Sequence, residues 1–272
     1  MIEFGLLALL GIALGAFGTL VGAGGGFLLV PILLFAYPDT PPDTITAMSL
    51  LVVLANAASG TVAYWRQRRI DLVTGALFAL ATLPGAVGGA ILVGYIPRHV
   101  FNVLFAVALG AIGAWLLISR RVTTIREPLV GRGVLRRRIT DRLGNTYVYG
   151  YRLWQGIAIS TVVGFVSSLL GIGGGIVHVP VMAVMLRFPV YVATATSHFV
   201  LALMALEATI VHFADGTLAW NATLARAAAI AAGAIVGAQF GAHLSHRIHG
   251  DVILRALGGA LILVALRLIW VR

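Results

Sequence analysis

The chain has 272 residues, of which 60% are hydrophobic and only 10% charged, and its mean hydropathy is +1.01. A soluble domain carries roughly 45–50% apolar and about 25% charged residues, so a soluble enzyme, a nucleic-acid-binding domain and a disordered protein are excluded; the lack of cysteine removes disulfides, thiolate metal sites and a cysteine nucleophile. The net charge of +10 is concentrated: there is no lysine, and nine of the 19 arginines lie from Arg120 to Arg152 against Glu127 and Asp141, a local +7 (9 − 2) that reads as a loop at an anionic membrane surface.

Met1 to Glu3 lacks a basic start, and no small-residue cleavage site ends a short apolar stretch, so Phe4 onward is expected to be mature structure. Phe4–Tyr37 carries no charge, and neither does Thr44–Trp65, which ends at Arg66, Arg68, Arg69 and Asp71. Leu72–Pro97 and Val100–Ser119 are also uncharged. Beyond the basic loop, Leu153–Leu186 is uncharged, Phe188–Ala214 holds Glu207, and Thr217–Leu244 holds Arg226. Val252–Val271 holds Arg255 and Arg267, each within snorkelling reach of an end. A helix needs about 20 apolar residues to cross the hydrocarbon core. The pattern predicts an all-α polytopic membrane protein with about eight membrane segments in two homologous four-segment repeats. Residues 1–119 form the first membrane repeat, 120–152 a basic cytoplasmic loop, and 153–272 the second repeat. Within the loop, Val134–Thr140 and Thr146–Arg152 flank Asp141-Arg-Leu-Gly-Asn145 and read as a β-hairpin.

The first segment of each repeat is 34 residues long. As one helix it would span about 50 Å, against a core of about 30 Å. Each is expected to be a helix interrupted midway or a re-entrant pair of short helices. The interruptions are Gly22-Ala-Gly-Gly-Gly26 and Gly171-Ile-Gly-Gly-Gly175, since consecutive glycines disfavour helix and admit positive φ. At an offset of 149, Gly24, Gly25, Gly26 and Pro31 match Gly173, Gly174, Gly175 and Pro180; at 148, Thr46-Ala-Met-Ser49 matches Thr194-Ala-Thr-Ser197. Helix breaks in corresponding positions of two halves point to a transporter's binding site. If neither long segment makes a net crossing, the repeats are inverted; if each crosses once, they are parallel. The positive-inside rule favours the inverted case by two arginines, Arg187 and Arg247.

The candidate chemistry follows from the breaks. A half-helix starting inside a membrane presents free N–H groups and the positive end of its dipole, so two such starts could hold an anion without a buried cation. The other reading is glycines for close helix packing. On the next helix, Thr46, Ser49, Asn56 and Ser59 share an arc, matched by Thr194, Ser197, Met204 and Glu207. These serve either a polar pathway or interhelical hydrogen bonds. His178 and His198 stand opposite Leu29 and Leu50, so the second half alone carries these titratable groups. Each histidine is either a donor or proton carrier, or a packed neutral ring. Glu207, the one acid well inside an apolar segment, is a proton-coupling candidate or a structural partner of Arg226 or Arg255. His212, His243, His246 and His249 lie near segment ends and are expected to be solvated. There is no P-loop, no G-x-S-x-G and no H-E-x-x-H, so neither a self-powered ATPase nor an enzyme of those types is expected.

The runs G-A-G-G-G-F-L-L-V-P at Gly22–Pro31 and G-I-G-G-G-I-V-H-V-P at Gly171–Pro180 resemble the TauE/SafE family of sulfite and organosulfonate permeases. So do T-A-T-S-H at Thr194–His198 and the basic stretch ending D-R-L-G-N-T-Y-V-Y-G-Y-R. The resemblance covers nearly the whole chain. It implies two four-segment repeats in the bacterial inner membrane, moving small sulfur-containing anions with no cofactor. It carries the glycine positions Gly22, Gly24, Gly25, Gly26, Gly171, Gly173, Gly174 and Gly175, and more loosely Ser49 and Ser197. With Asn56, His178 and His198 these form the expected substrate set. The first copy has Met48-Ser49-Leu50 where the second has Thr196-Ser197-His198, so the halves are not equivalent.

Two further readings stay open. A divalent-metal transporter would use His178, His198, Glu207 and His212, since imidazole and carboxylate suit Zn²⁺ or Ni²⁺. A non-transporting scaffold or intramembrane enzyme would instead have unbroken helices at the glycine runs. The expected partners are a small anion and the lipid bilayer, not nucleic acid; a homo-oligomer is left open.

Overall fold

A computed structural model describes residues 2–118, 129, 131–245, 247–248 and 250–270. The first half contains α1 (Ile2–Val21), α2 (Gly26–Ala36), α3 (Pro42–Arg66), α4 (Leu72–Val93) and α5 (Arg98–Ile118). A two-stranded antiparallel hairpin follows, β1 (Val134–Thr140) and β2 (Thr146–Arg152), paired from Val134 opposite Arg152 to Thr140 opposite Thr146. The second half contains α6 (Leu153–Leu170), α7 (Gly175–Pro180, widening into a π-helical turn over Val181–Met185), α8 (Val190–Ala214), α9 (Ala222–Leu244) and α10 (Gly250–Trp270). Among the described residues, seven helices are long and apolar enough to cross a membrane: α1, α3, α4, α5, α6, α8 and α9. The chain is a multi-pass membrane protein.

Each glycine run ends a helix and starts another, so the long segments are not continuous helices. The breaks lie past the centre of those segments rather than midway, after 20 helical residues in α1 and 18 in α6. The ending of α1 is a tight one, with the amides of Ala23 and Gly24 both donating to Gly18 O at 2.8 and 3.1 Å. Gly22, Gly24 and Gly25 then take positive φ of 79°, 76° and 83°, where any other residue would be strained.

The helices line up by their contacts. The hairpin marks one face: α3 ends there, with Gln67 O accepting from the Arg142 amide at 3.0 Å, and α4 starts there at Asp71, which pairs with Arg137. Gln67 Nε2 also donates to Ala242 O near the end of α9, and the Arg69 guanidinium lies over the Tyr191 ring at the start of α8. α3 and α8 run antiparallel. Ala47 clusters with Leu218, Val53 and Ala57 with Leu201 and Ala205, and Ala63 and Tyr64 with Ala195. At the far face Glu3 bonds Arg226 near the start of α9, and Arg98 of α5 donates to Leu34 O and Thr40 O. Residues 2–36 therefore enter and leave on the far face, and residues 153–185 enter and leave on the hairpin face. Each long segment is re-entrant.

Close packing between the halves uses small residues. Gly233, Gly237 and Gly241 of α9 lie directly on the α1 backbone at Ala8, Ile12 and Ala16, so these helices run parallel with no room for a Cβ. Gly85 and Gly89 of α4 lie likewise on Thr161 and Phe165 of α6. Thus α1 packs on α9 and α6 on α4, while α5 packs on α10 and α3 on α8. That scheme is unchanged when the two halves are exchanged.

Candidate functional site

The two glycine turns meet at the middle of the molecule. A Cβ built at Gly26 would lie 2.8 Å from the carbonyl oxygens of both Gly171 and Ile172, and one at Gly175 would collide with Gly22 O. Gly24 and Gly173 both abut Val53 and Leu201, the midpoints of α3 and α8. Every residue from 22 to 26 and from 171 to 175 is buried.

Serines hold the turns in a crossed arrangement. Ser49 Oγ, on α3, donates to Gly171 O of the second turn at 2.7 Å. Ser197 Oγ, on α8, donates to Gly22 O of the first turn at 3.5 Å. One helical turn earlier, Thr46 packs against Gly171 and Thr194 against Gly22. Their hydroxyls have no hydrogen-bond partner, and neither do those of Ser167 and Ser168 just before the second turn. Among the described residues, the amides of Gly25, Gly26 and Phe27 and those of Gly173 to Ile176 find no acceptor. A buried donor without an acceptor costs about 1–3 kcal/mol, so these groups, which find no partner within the protein, need a polar partner from water or a solute.

The histidines sit on opposite flanks. His198 Nε2 is hydrogen-bonded to Thr19 Oγ1 (3.2 Å), which in turn donates to Asn56 Oδ1 (3.0 Å); Tyr64 OH donates to Thr19 O at 2.7 Å. Asn56 Nδ2 is buried without a partner. His178 Nε2 is hydrogen-bonded to Ser160 Oγ (3.1 Å), and its ring stacks on Phe78 at 6.2 Å. Thr19, Tyr64, Ser160 and Phe78 were not candidates from sequence. Thr19 could have been: at an offset of 149 it matches Ser168, a hydroxyl shortly before each glycine run.

Several expectations are corrected. Arg226 pairs with Glu3 at 2.8 Å and not with Glu207. Glu207 stands away from the turns, in an apolar groove of about 520 Å³ between α4 and α8, lined also by Ala76, Leu80, Leu83, Leu203 and Ile210. His212 is fully buried rather than solvated, 3.7 Å from Asp215; His243 is exposed, and His246 and His249 lie outside the described residues. Of the two readings of the polar arc, Ser59 takes the interhelical one, donating to Ile235 O on α9 at 2.7 Å. His178, His198 and Glu207 face three different surroundings, and among the described residues no three His, Asp or Glu groups come together to hold a metal.

Outside the membrane segments, Asp71 is the centre of a second polar cluster. It is fully buried and accepts from Arg137 Nε (2.9 Å) and Nη2 (2.8 Å), Tyr149 OH (2.7 Å), Thr74 Oγ1 (2.7 Å) and the Thr74 amide (3.2 Å). Burial pushes its carboxyl up, but these donors outweigh burial and hold it below the usual carboxylate range. The Tyr149 hydroxyl is pushed up by burial and by the Asp71 charge, and that of Tyr151 up to about 12, chiefly by burial.

The sequence profile described as "Sulfite exporter TauE/SafE" matches residues 7–268. The chain belongs to the TauE/SafE family. It is 32% identical over 274 residues to the probable membrane transporter protein YunE of Bacillus subtilis, covering 98% of each chain. It is 29% identical to the probable membrane transporter protein MJ0441 of Methanocaldococcus jannaschii, over 78% of this chain and 73% of that one. A probable membrane transporter protein of Xylella fastidiosa is 25% identical over 99% of this chain and 95% of its own. No solved structure matches. As a TauE/SafE protein the chain is a membrane transporter and not an enzyme, a multi-pass protein of the inner membrane.

Proposed function

We propose that this TauE/SafE chain is a secondary transporter for a small sulfur-containing oxyanion such as sulfite or an organosulfonate, bound between the two glycine turns. The carrying observation is the donor set there. Two turns, one from each half, bring seven acceptor-free amides together with the free hydroxyls of Thr46, Thr194, Ser167 and Ser168 and the Asn56 amide, with no carboxylate among them. Such a set solvates an oxyanion with neutral dipoles, aided by the positive ends of α2 and of the eleven-residue helix Gly25's counterpart leads into, Gly175–Met185. Neutral donors suit a carrier, since they hold charge without the depth of trap that a buried cation would make. Ser49 and Ser197 act here by pinning each other half's turn, leaving the threonines to face the solute.

The two halves are read as inverted repeats, and alternating access as a rocking of one set of packed helices against the other around the fixed turns. The halves differ in His178, His198 and Asn56, so the two exposed states need not bind equally. Glu207, remote from the turns, is assigned no role in holding the anion. Proteoliposomes loaded with the purified protein are expected to take up labelled sulfite or a small sulfonate, with Thr46→Val and Thr194→Val together slowing flux at least tenfold. Absence of flux with sulfite, sulfonates and thiosulfate alike would overturn the reading.

A further inference from the structure

The hairpin is not merely attached to the membrane body. Its second strand sends Tyr149 and Tyr151 inward, both buried, onto Phe188 at ring distances of 4.4 and 4.9 Å. Tyr151 and Phe188 in turn meet Phe78 at 5.6 and 6.5 Å, and Phe78 stacks on His178, three residues past Gly175. A continuous column of rings thus fills the space between the hairpin face and the second glycine turn. Polar ties fix its outer end. Arg137 grips the fully buried Asp71 with two nitrogens, Tyr149 OH donates to the same carboxylate, and Tyr151 OH donates to Thr74 Oγ1 at 2.9 Å. The Asp71 amide donates to Thr196 Oγ1 at 3.0 Å, the residue beside Ser197 that holds the first turn. Loops 37–41 and 215–221 at the far face contain no comparable hairpin.

We infer that the hairpin is the cytoplasmic gate of the transport site, with Arg137 and Asp71 as its latch and Tyr149, Tyr151, Phe188 and Phe78 as its plug. Release of the latch swings the tyrosines off Phe188 and opens a path to Ser160 and His178. The pair suits this task. Breaking it leaves the buried Asp71 charge without its counter-ion, held by Thr74 alone, so the latch closes firmly, whereas Arg137 is 26% exposed and keeps contact with water when it lets go. The gate also reports to both turns, through Phe78 and His178 to the second and through Thr196 to the first.

The inference rests on the reading of the glycine turns as the transport site, but its test needs no flux. The chain has no cysteine, so Ser160→Cys, at a buried position, gives a single thiol behind the plug. Inside-out vesicles are treated with a charged, membrane-impermeant methanethiosulfonate reagent. Labelling is expected to be slow in the otherwise native chain and at least tenfold faster with Arg137→Ala, with Arg137→Lys intermediate because one nitrogen replaces a two-nitrogen grip. In right-side-out vesicles the rate is expected to stay unchanged. Equal rates with and without the latch substitutions would overturn the gate, and so would acceleration from both faces alike. Asp71→Asn, which keeps the shape and removes the charge, is the second variant should Arg137→Ala fail to fold.

Discussion

Gly25 and Gly174 hold matching places in the two turns, yet a methyl group added to each meets different surroundings. Gly25 sits at φ 83° with Leu14 O 2.9 Å from the position of a Cβ; Gly174 sits at φ −58°, and its nearest neighbour is the flexible Met204 sulfur at 3.3 Å. Gly25→Ala is expected to destabilise by about 1–3 kcal/mol through strain and backbone overlap. Gly174→Ala is expected to leave the unfolding temperature in detergent nearly unchanged while weakening the stabilisation a bound anion gives. That stabilisation is about 2.7 kcal/mol at 100 times Kd, and a substrate-panel thermal shift reads it directly. The helix break at both glycines was legible because three glycines in a row disfavour a continuous helix inside a membrane segment. Their difference was not, since φ at each position depends on how the opposite turn packs. The same holds for Ser49 and Ser197: their residue type marked them, but the carbonyl each one grips belongs to the other half of the chain.

Among the elements, the hairpin was fully legible in outline and hardly at all in its attachment. Alternating β-formers around Asp141-Arg-Leu-Gly-Asn145 fix both strands, and Asp141 closes the turn by accepting from the Leu143 and Asn145 amides at 2.9 Å each. Asp71 looked like one more loop charge, because nothing local shows that Arg137, 66 residues away, reaches it. Its lowered pKa gives the sign of the pH response. The stabilisation from ionised Asp71 is complete above the unfolded carboxylate value of about 3.9 and is lost as pH falls through the lower folded value. Arg137 and the two tyrosines facing it keep their charge states across that window. Near-ultraviolet circular dichroism of the tyrosine cluster is therefore expected to collapse in acid below about pH 4. In Asp71→Asn it should be weaker already at pH 7, destabilised by roughly 3 kcal/mol, and flat with pH. The re-entrant helices were legible in length and in their breaks, but the break position past the centre was not. It lies where Gly24 and Gly173 abut Val53 and Leu201 at the middle of α3 and α8, a contact that sequence periodicity does not report.

At the scale of the whole molecule, membrane class followed from the charge pattern alone, but that pattern marks about eight segments, and seven helices among the described residues are long and apolar enough to cross. The partnership of helices did not follow from it. Small residues on α1 and α9 advertise close packing with something, and only the folded chain shows that each half supplies the other's neighbour. Residues 1–119 and 153–272 are consequently not separable units. Produced as two chains in the same cell they are expected to purify together, and either one alone is expected to aggregate in detergent; recovery of a monodisperse single half by size-exclusion chromatography would contradict this. The pairing of α1 with α9 also bears on how the protein is made. Synthesis runs at about 5–20 residues per second, so α1 leaves the ribosome roughly ten seconds or more before α9 exists to cover its glycine face. For that interval the nascent chain carries an unmated small-residue surface in the bilayer, and the insertion machinery or a lipid must shelter it until the last quarter of translation delivers its mate.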